Sequence, residues 1–190
     1  MLKKKLIWLL TAGFLLFSTL TWAAPLQNYS IVYVNKNPDG TISNIIKYYL
    51  RDGNKFRADY LRGNGEWITT NILRNDKGLV WSLDQTYKTY FEVPLKPGKW
   101  ENAVLGVSGA ESPDLKKTGT TKFLNYTCDI YIVETEEWTN IIYLEPSMNL
   151  MLRSETKIKG ETFQIREAST LSLEKPPVAL FEIPAGYKHQ

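Results

Sequence analysis

The chain has 190 residues, with 23 Lys+Arg against 20 Asp+Glu for a net charge of +3, and a single cysteine and a single histidine. One cysteine excludes an internal disulfide framework, and one His beside one Cys excludes a zinc site of the usual four-ligand kind. Lys3, Lys4 and Lys5 supply the whole positive excess, so the rest of the chain lacks the basic stripe that a nucleic-acid partner requires.

Those lysines open the first element. They precede a 15-residue apolar run, Leu6–Leu20, and Thr21-Trp22-Ala23 places small residues at the −3 and −1 positions of a cleavage site. This pattern predicts a secretory signal peptide over residues 1–23, removed on export. The apolar run falls short of the roughly 20 residues that span a bilayer, and no cysteine near Ala24 offers a lipid anchor. The expected product is a single domain over residues 24–190, not membrane-spanning once mature. It would be periplasmic, or secreted if the host has no outer membrane.

Turn signals then recur at short intervals: Pro38-Asp39-Gly40, Asp52-Gly53, Gly63-Asn64-Gly65, Asp76-Lys77-Gly78 and Lys159-Gly160. Asp-Gly and Asn-Gly pairs supply the positive φ angles of tight hairpins. Between them, β-branched and aromatic runs predict strands at Tyr29–Asn35, Ser43–Arg51, Lys55–Arg62, Trp67–Arg74, Leu79–Leu83 and Thr86–Val93. A second block follows at Thr121–Leu124, Cys128–Glu134, Thr139–Leu144, Met151–Lys157 and Thr162–Leu173. The spacing is that of an antiparallel meander; Cys128, in a strand-like run, reads first as a buried, inert thiol, with a reactive or intermolecular thiol as the alternative.

The hairpin Tyr48–Trp67 interleaves Arg51, Arg57 and Arg62 with aromatic residues. A two-residue turn at Asp52-Gly53 or Gly53-Asn54 puts Tyr49, Arg51, Phe56 and Tyr60 on one face and Tyr48, Lys55, Arg57 and Asp59 on the other. On that reading at most one of Arg51 and Arg57 faces the interior. An inward arginine either packs its stem on rings with its head in water or on Asp59, or meets an anionic head group at the rim of an apolar cavity.

Two segments are not strands. Residues 94–117 are rich in Pro and Gly, yet Trp100, Ala103, Val104 and Val107 fall on one face of a two-turn helix. Such a helix serves either as a crossover that plugs the sheet, which the residues alone favour, or as a lid over its concave side. In the tail, Pro176-Pro177 can open one helical turn through Leu180 and Phe181, stopped by Pro184. Phe181, Ile183 and Tyr187 then clamp the C-terminus to the sheet.

Catalytic parts are scarce. His189 lies one residue from the end of the chain, and no phosphate loop or dinucleotide fingerprint occurs. The residues point away from an enzyme and call for no cofactor and no metal.

Several short stretches together resemble a family of exported bacterial proteins classed as a domain of unknown function. They are Gly53-Asn54-Lys55-Phe56-Arg57, Ile72–Asp76 leading into Val80-Trp81-Ser82-Leu83-Asp84, Tyr87–Tyr90, Asn125–Cys128, Leu150–Arg153 and Phe181–Tyr187. Those proteins are in turn similar to the periplasmic carriers LolA and LolB of outer-membrane lipoprotein sorting. The resemblance implies a mainly β fold: one antiparallel sheet curved into an open half-barrel, with a short helix or lid over its concave face. It also implies lipid or lipoprotein acyl chains as ligand. Cavity and lid candidates are then Arg51, Arg57, Tyr49, Phe56, Trp81, Trp100, Val104 and Val107. The carriers hold their lid closed with an arginine of an early strand; Arg51 matches that position, although Asp-Gly follows it where the carriers have proline. A packed β domain that binds another envelope protein is the alternative.

Overall fold

The computed structural model describes residues 26–95 and 116–190. The expected signal peptide and the expected helix bearing Trp100, Val104 and Val107 lie outside the described residues.

The strands are β1 (Tyr29–Lys36), β2 (Ile42–Arg51), β3 (Lys55–Arg62), β4 (Trp67–Arg74), β5 (Leu79–Asp84) and β6 (Thr89–Pro94), then β7 (Lys116–Phe123), β8 (Tyr126–Glu134), β9 (Trp138–Glu145), β10 (Leu150–Ile158), β11 (Glu161–Ser172) and a two-residue β12 (Lys188–His189). They form one sheet in the order β12-β6-β5-β4-β3-β2-β1-β11-β10-β9-β8-β7. Two antiparallel meanders thus meet at the β1–β11 pair, and only β12 runs parallel to its neighbour. The meander expected from the turn spacing is present. β7 begins earlier than expected because its start, Lys116–Thr121, is polar and carries no apolar alternation to read.

The sheet is an open half-barrel, and its inner face is not uniform along the strands. At the end where β1 begins, Tyr29, Leu50, Phe56 and Leu73 from one wing join Leu150, Leu152 and Cys128 from the other in a single buried core. An unclosed sheet buries residues of both wings in one core by curling that face inward. Tyr33 on β1 reaches across β11 and donates to the Met151 carbonyl of β10 at 2.5 Å. Cys128 is buried as expected, and burial pushes its thiol pKa up. This is the closed end. At the other end, where β1 finishes, the described residues leave a cavity on the inner face.

The hairpin between β2 and β3 departs from the two-residue expectation. Arg51 pairs with Lys55, leaving a three-residue loop, Asp52–Asn54. Asp52 and Gly53 both take left-handed φ, 54° and 61°. The loop is tied down by hydrogen bonds from Gly53 N to the Gln27 carbonyl at 2.9 Å and from Asn75 N to the Asn54 carbonyl at 3.0 Å. One extra residue reverses which face each β3 side chain shares with β2. Ile46, Tyr48, Leu50, Phe56, Ala58 and Tyr60 face inward together, while Lys47, Tyr49, Arg51, Lys55, Arg57 and Asp59 face outward. Arg51 and Arg57 therefore share a face, and neither points inside.

The outer face of the β9–β11 wing is an ionic surface, with Lys36 paired to Glu167 and Arg153 to Glu155 at 3.3 Å. These paired charges are half-buried with access to water, as on the convex side of a one-sided sheet.

One close approach sets the β3–β4 turn. A Cβ on Gly63 would stand 2.1 Å from the Ile42 carbonyl oxygen, a backbone atom that cannot rotate away. Gly63→Ala should lower stability by about 1–3 kcal/mol, read from the urea midpoint.

Candidate binding site

The convex face is closed over β2–β6 by the C-terminal tail. After β11 the chain makes the single 3-10 turn foreseen in the sequence, Val178–Phe181, and Phe181 is fully buried. It packs with Ile72, Trp81 and Leu83, flanked by Tyr49, Leu180, Ile183 and Tyr187. Three arginines bind the tail backbone. Arg51 Nη1 donates to the Pro176 carbonyl at 2.6 Å, Arg57 Nη1 to that of Leu180 at 2.8 Å, and Arg74 Nη1 to that of Phe181 at 3.0 Å. Each also has a carboxylate: Asp52 for Arg51, Asp59 for Arg57, and Asp76 with Glu182 for Arg74.

Beneath the tail lies a buried polar chain. Asp59, 1% exposed, accepts from Arg57 Nε and from Thr70 Oγ1, both at 2.7 Å. Gln85 Nε2 donates to Thr70 Oγ1 at 3.1 Å, and Tyr187 donates to Gln85 Oε1 at 2.5 Å. Burial pushes the Asp59 carboxyl up, against the pull of Arg57 and Thr70. An open depression of about 620 Å³ flanks this chain, bordered by Trp67, Lys88 and Tyr187. Trp67 is aimed there because a bulge shifts the register after Tyr60, and Lys47 and Arg57 lie 5.8 and 5.9 Å from its ring centre. Every polar group of the chain from Asp59 to Tyr187 has a partner inside the protein, so this face holds the tail.

The sequence-nominated residues divide accordingly. Arg51, Arg57, Tyr49 and Trp81 lie on the convex face under or beside the tail, and Trp81 Nε1 donates to Glu92 at 2.8 Å. Phe56 lies in the packed core of the closed end.

The open end holds what the sequence reading missed. A cavity of about 300 Å³ lies on the inner face, lined by Asn35, Asn44, Ile46, Tyr60, Gln164 and Arg166. The register puts Asn44, Asn35 and Arg166 side by side on three adjacent strands, β2, β1 and β11. Asn35, 1% exposed, donates to Asn44 Oδ1 and accepts from Arg166 Nε at 2.9 Å. Tyr33 and Tyr48 stack edge to face at 5.7 Å beside this row. The Tyr48 pKa is pushed up to about 12, chiefly by burial, while Arg166 pulls it down. An asparagine in alternating strand sequence reads as solvent-facing, so only the pairing register reveals the row.

Around the mouth, apolar side chains stand exposed at the strand ends: Ile42, Ile68, Trp138, Ile158 and Phe163, the last 57% exposed. A second depression of about 470 Å³ beside Phe163 runs between Pro38 and Ile158. The site is thus a polar floor with an apolar rim.

A family model described as a domain of unknown function (DUF4412) matches residues 34–144, and the chain belongs to that family. No curated protein matches it in sequence. Among solved structures, an uncharacterized conserved protein from Thermus thermophilus superposes with a TM-score of 0.61 at 11% identity, covering 87% of this chain and 90% of its own. MucB of Pseudomonas aeruginosa, in its complex with MucA, superposes with a TM-score of 0.57 at 15% identity, covering 83% of this chain. The present chain spans only 56% of that MucB chain. A further structure of MucB gives 0.54 at 14% identity. At these identities the likeness is one of fold.

Two outcomes test the tail clasp. Phe181→Ala should cost about 3–5 kcal/mol and expose the tail to limited proteolysis. The second concerns acid. The hydrogen bond from Arg74 is the main reason that the Asp76 pKa falls to about 2. Its ordinary value, close to that in an unfolded chain, is about 4, so the contribution of Asp76 is fully present above pH ~4 and is lost as pH falls through ~2. An acid titration of Asp76→Asn should show a shallower loss of stability over that window than the wild type.

Proposed function

We propose that this protein is a non-catalytic binding protein of the cell envelope, exported to the periplasm, that shelters a lipid or an acyl chain of a lipoprotein in the open end of its half-barrel. The observation that carries the reading is the ring of exposed apolar side chains around the mouth, Ile42, Ile68, Trp138, Ile158 and Phe163. Clustered exposed apolar surface marks an interaction site. An alkyl chain laid against such a ring contributes about 0.8 kcal/mol per CH₂ removed from water.

Size narrows the guest. Among the described residues, side chains of both wings fill the inner face at the closed end, and 300 Å³ is at the lower limit of small-molecule pockets, which run from about 300 to 1,000 Å³. One chain fits such a volume better than a bundle of chains. The Lys3–Lys5 and Leu6–Leu20 pattern supports export.

A protein partner is the second reading. It is favoured by MucB, which shares the fold and has been solved in complex with MucA(peri). The same apolar rim would then seat a segment of another envelope protein.

Uptake of a fluorescent fatty acid separates the two readings. The wild type should bind it, and the double variant Ile68→Asp/Phe163→Asp should bind about tenfold more weakly or worse. Both positions are exposed, so the urea-derived stability should move by no more than about 0.5 kcal/mol. Absence of uptake by the wild type, with only ligand-free protein in native mass spectra of material from its own periplasm, overturns the lipid reading.

A further inference from the structure

The chain has six arginines. Five stand beside a carboxylate: Arg51 by Asp52, Arg57 by Asp59, Arg62 by Glu66, Arg74 by Asp76, and Arg153 by Glu155. Arg166 is the exception, having no carboxylate within ion-pair distance among the described residues. Its one hydrogen bond to a described residue is from Nε to Asn35 Oδ1.

That bond holds the guanidinium in place. Asn35 is buried and is itself held by Asn44, so the carbonyl that receives Nε has a fixed position. With Nε occupied, the two terminal nitrogens remain for the cavity that Arg166 lines. A guanidinium whose fork is pre-oriented and lacks a counter-ion matches a planar carboxylate or a phosphate, each able to accept two parallel N–H bonds. Ile46, Tyr60 and Ile68 border the same cavity and offer apolar surface next to the charge. The positive field there is felt by Tyr33 and Tyr48, whose phenols it pulls toward ionisation against their burial.

We infer that Arg166, positioned by Asn35 and Asn44, is the head-group seat for an amphiphile whose polar end is an oxyanion, a carboxylate or a phosphate monoester. The inference rests on the open end being an amphiphile site. It assigns charge selectivity to β11, whereas the sequence placed it on the β2–β3 hairpin. The convex-face arginines are occupied by the tail and their carboxylates, and Arg166 is held ready for an external anion.

Titration calorimetry with dodecanoate, dodecyl phosphate and dodecanol tests it on the intact protein. The wild type should bind the two anions about tenfold or more tightly than the alcohol, the scale of a charge-assisted hydrogen-bond pair. Arg166→Gln should remove that preference by weakening the two anions about tenfold more than it weakens dodecanol; Arg166→Lys, which keeps the charge without the fork, should fall between. The wild-type preference is read without any variant, so misfolding of a variant cannot hide the result. Equal binding of all three ligands overturns the role of Arg166 and leaves the amphiphile site standing. No binding of any of them overturns both. Inorganic phosphate competing as well as dodecyl phosphate would show a free-anion site and overturn the amphiphile assignment. Dodecanoate bound and dodecyl phosphate not would identify a carboxylate as the oxyanion, in support of the inference.

Discussion

The three-residue loop Asp52–Asn54 decides which side of the sheet the most charged hairpin presents to the interior. A two-residue turn would have buried one arginine on the inner face beside Tyr48 or Phe56. With Arg51 opposite Lys55, Ile46, Tyr48, Leu50, Phe56, Ala58 and Tyr60 form an apolar and phenolic stretch of the inner face, and Lys47, Arg51, Lys55, Arg57 and Asp59 form a charged stretch of the outer face. The closed-end core and the tail clasp both depend on that parity, because Phe56 and Arg57 occupy opposite faces at consecutive positions. The loop keeps its length because Asp52 and Gly53 adopt left-handed φ and because neighbouring backbone holds it on two sides.

From this parity follows a division of labour between the two faces. The convex side carries three arginines that would be expensive to bury unpaired, and the tail supplies carbonyls for each of them. A buried ion pair such as Arg57–Asp59 adds little net stability over a well-packed apolar pair. What it does add here is one seating for the tail, since the donors are spaced to meet Pro176, Leu180 and Phe181 in turn. Phe181 provides the apolar burial that makes the seating favourable.

The inner side is divided along its length. At the closed end, residues from both wings fill the curve, as a half-barrel must if it is to have a core without a second layer of described residues. At the open end, a row of amides and one guanidinium replaces the apolar side chains. Asn35 and Asn44 satisfy each other there, which lets them sit on an inner face at little cost. A floor of this composition beneath an apolar rim suits a guest with a polar end and an apolar body. It also explains why the volume is modest, since the same curve that opens one end is closed at the other.

Much of this was legible in the chain itself. Turn residues and β-branched runs placed the strands between residues 29 and 173, because hairpin chemistry is local and needs no distant partner. Pro176-Pro177 and Pro184 likewise bounded the tail turn, and Phe181 was rightly chosen as its anchor. The orientation of the hairpin was not legible, since a loop of two residues and one of three share the same Asp-Gly signal and differ only in how distant backbone ties them down. The Asn44–Asn35–Arg166 row was hidden for a related reason. Asn35 and Arg166 are far apart in sequence and meet only through the β1–β11 pairing, so no local pattern marks them. The sequence by itself therefore determined which segments are strands. The tertiary structure decided which of their faces look inward, because register is set by pairing and by loop closure between segments that the sequence does not bring together.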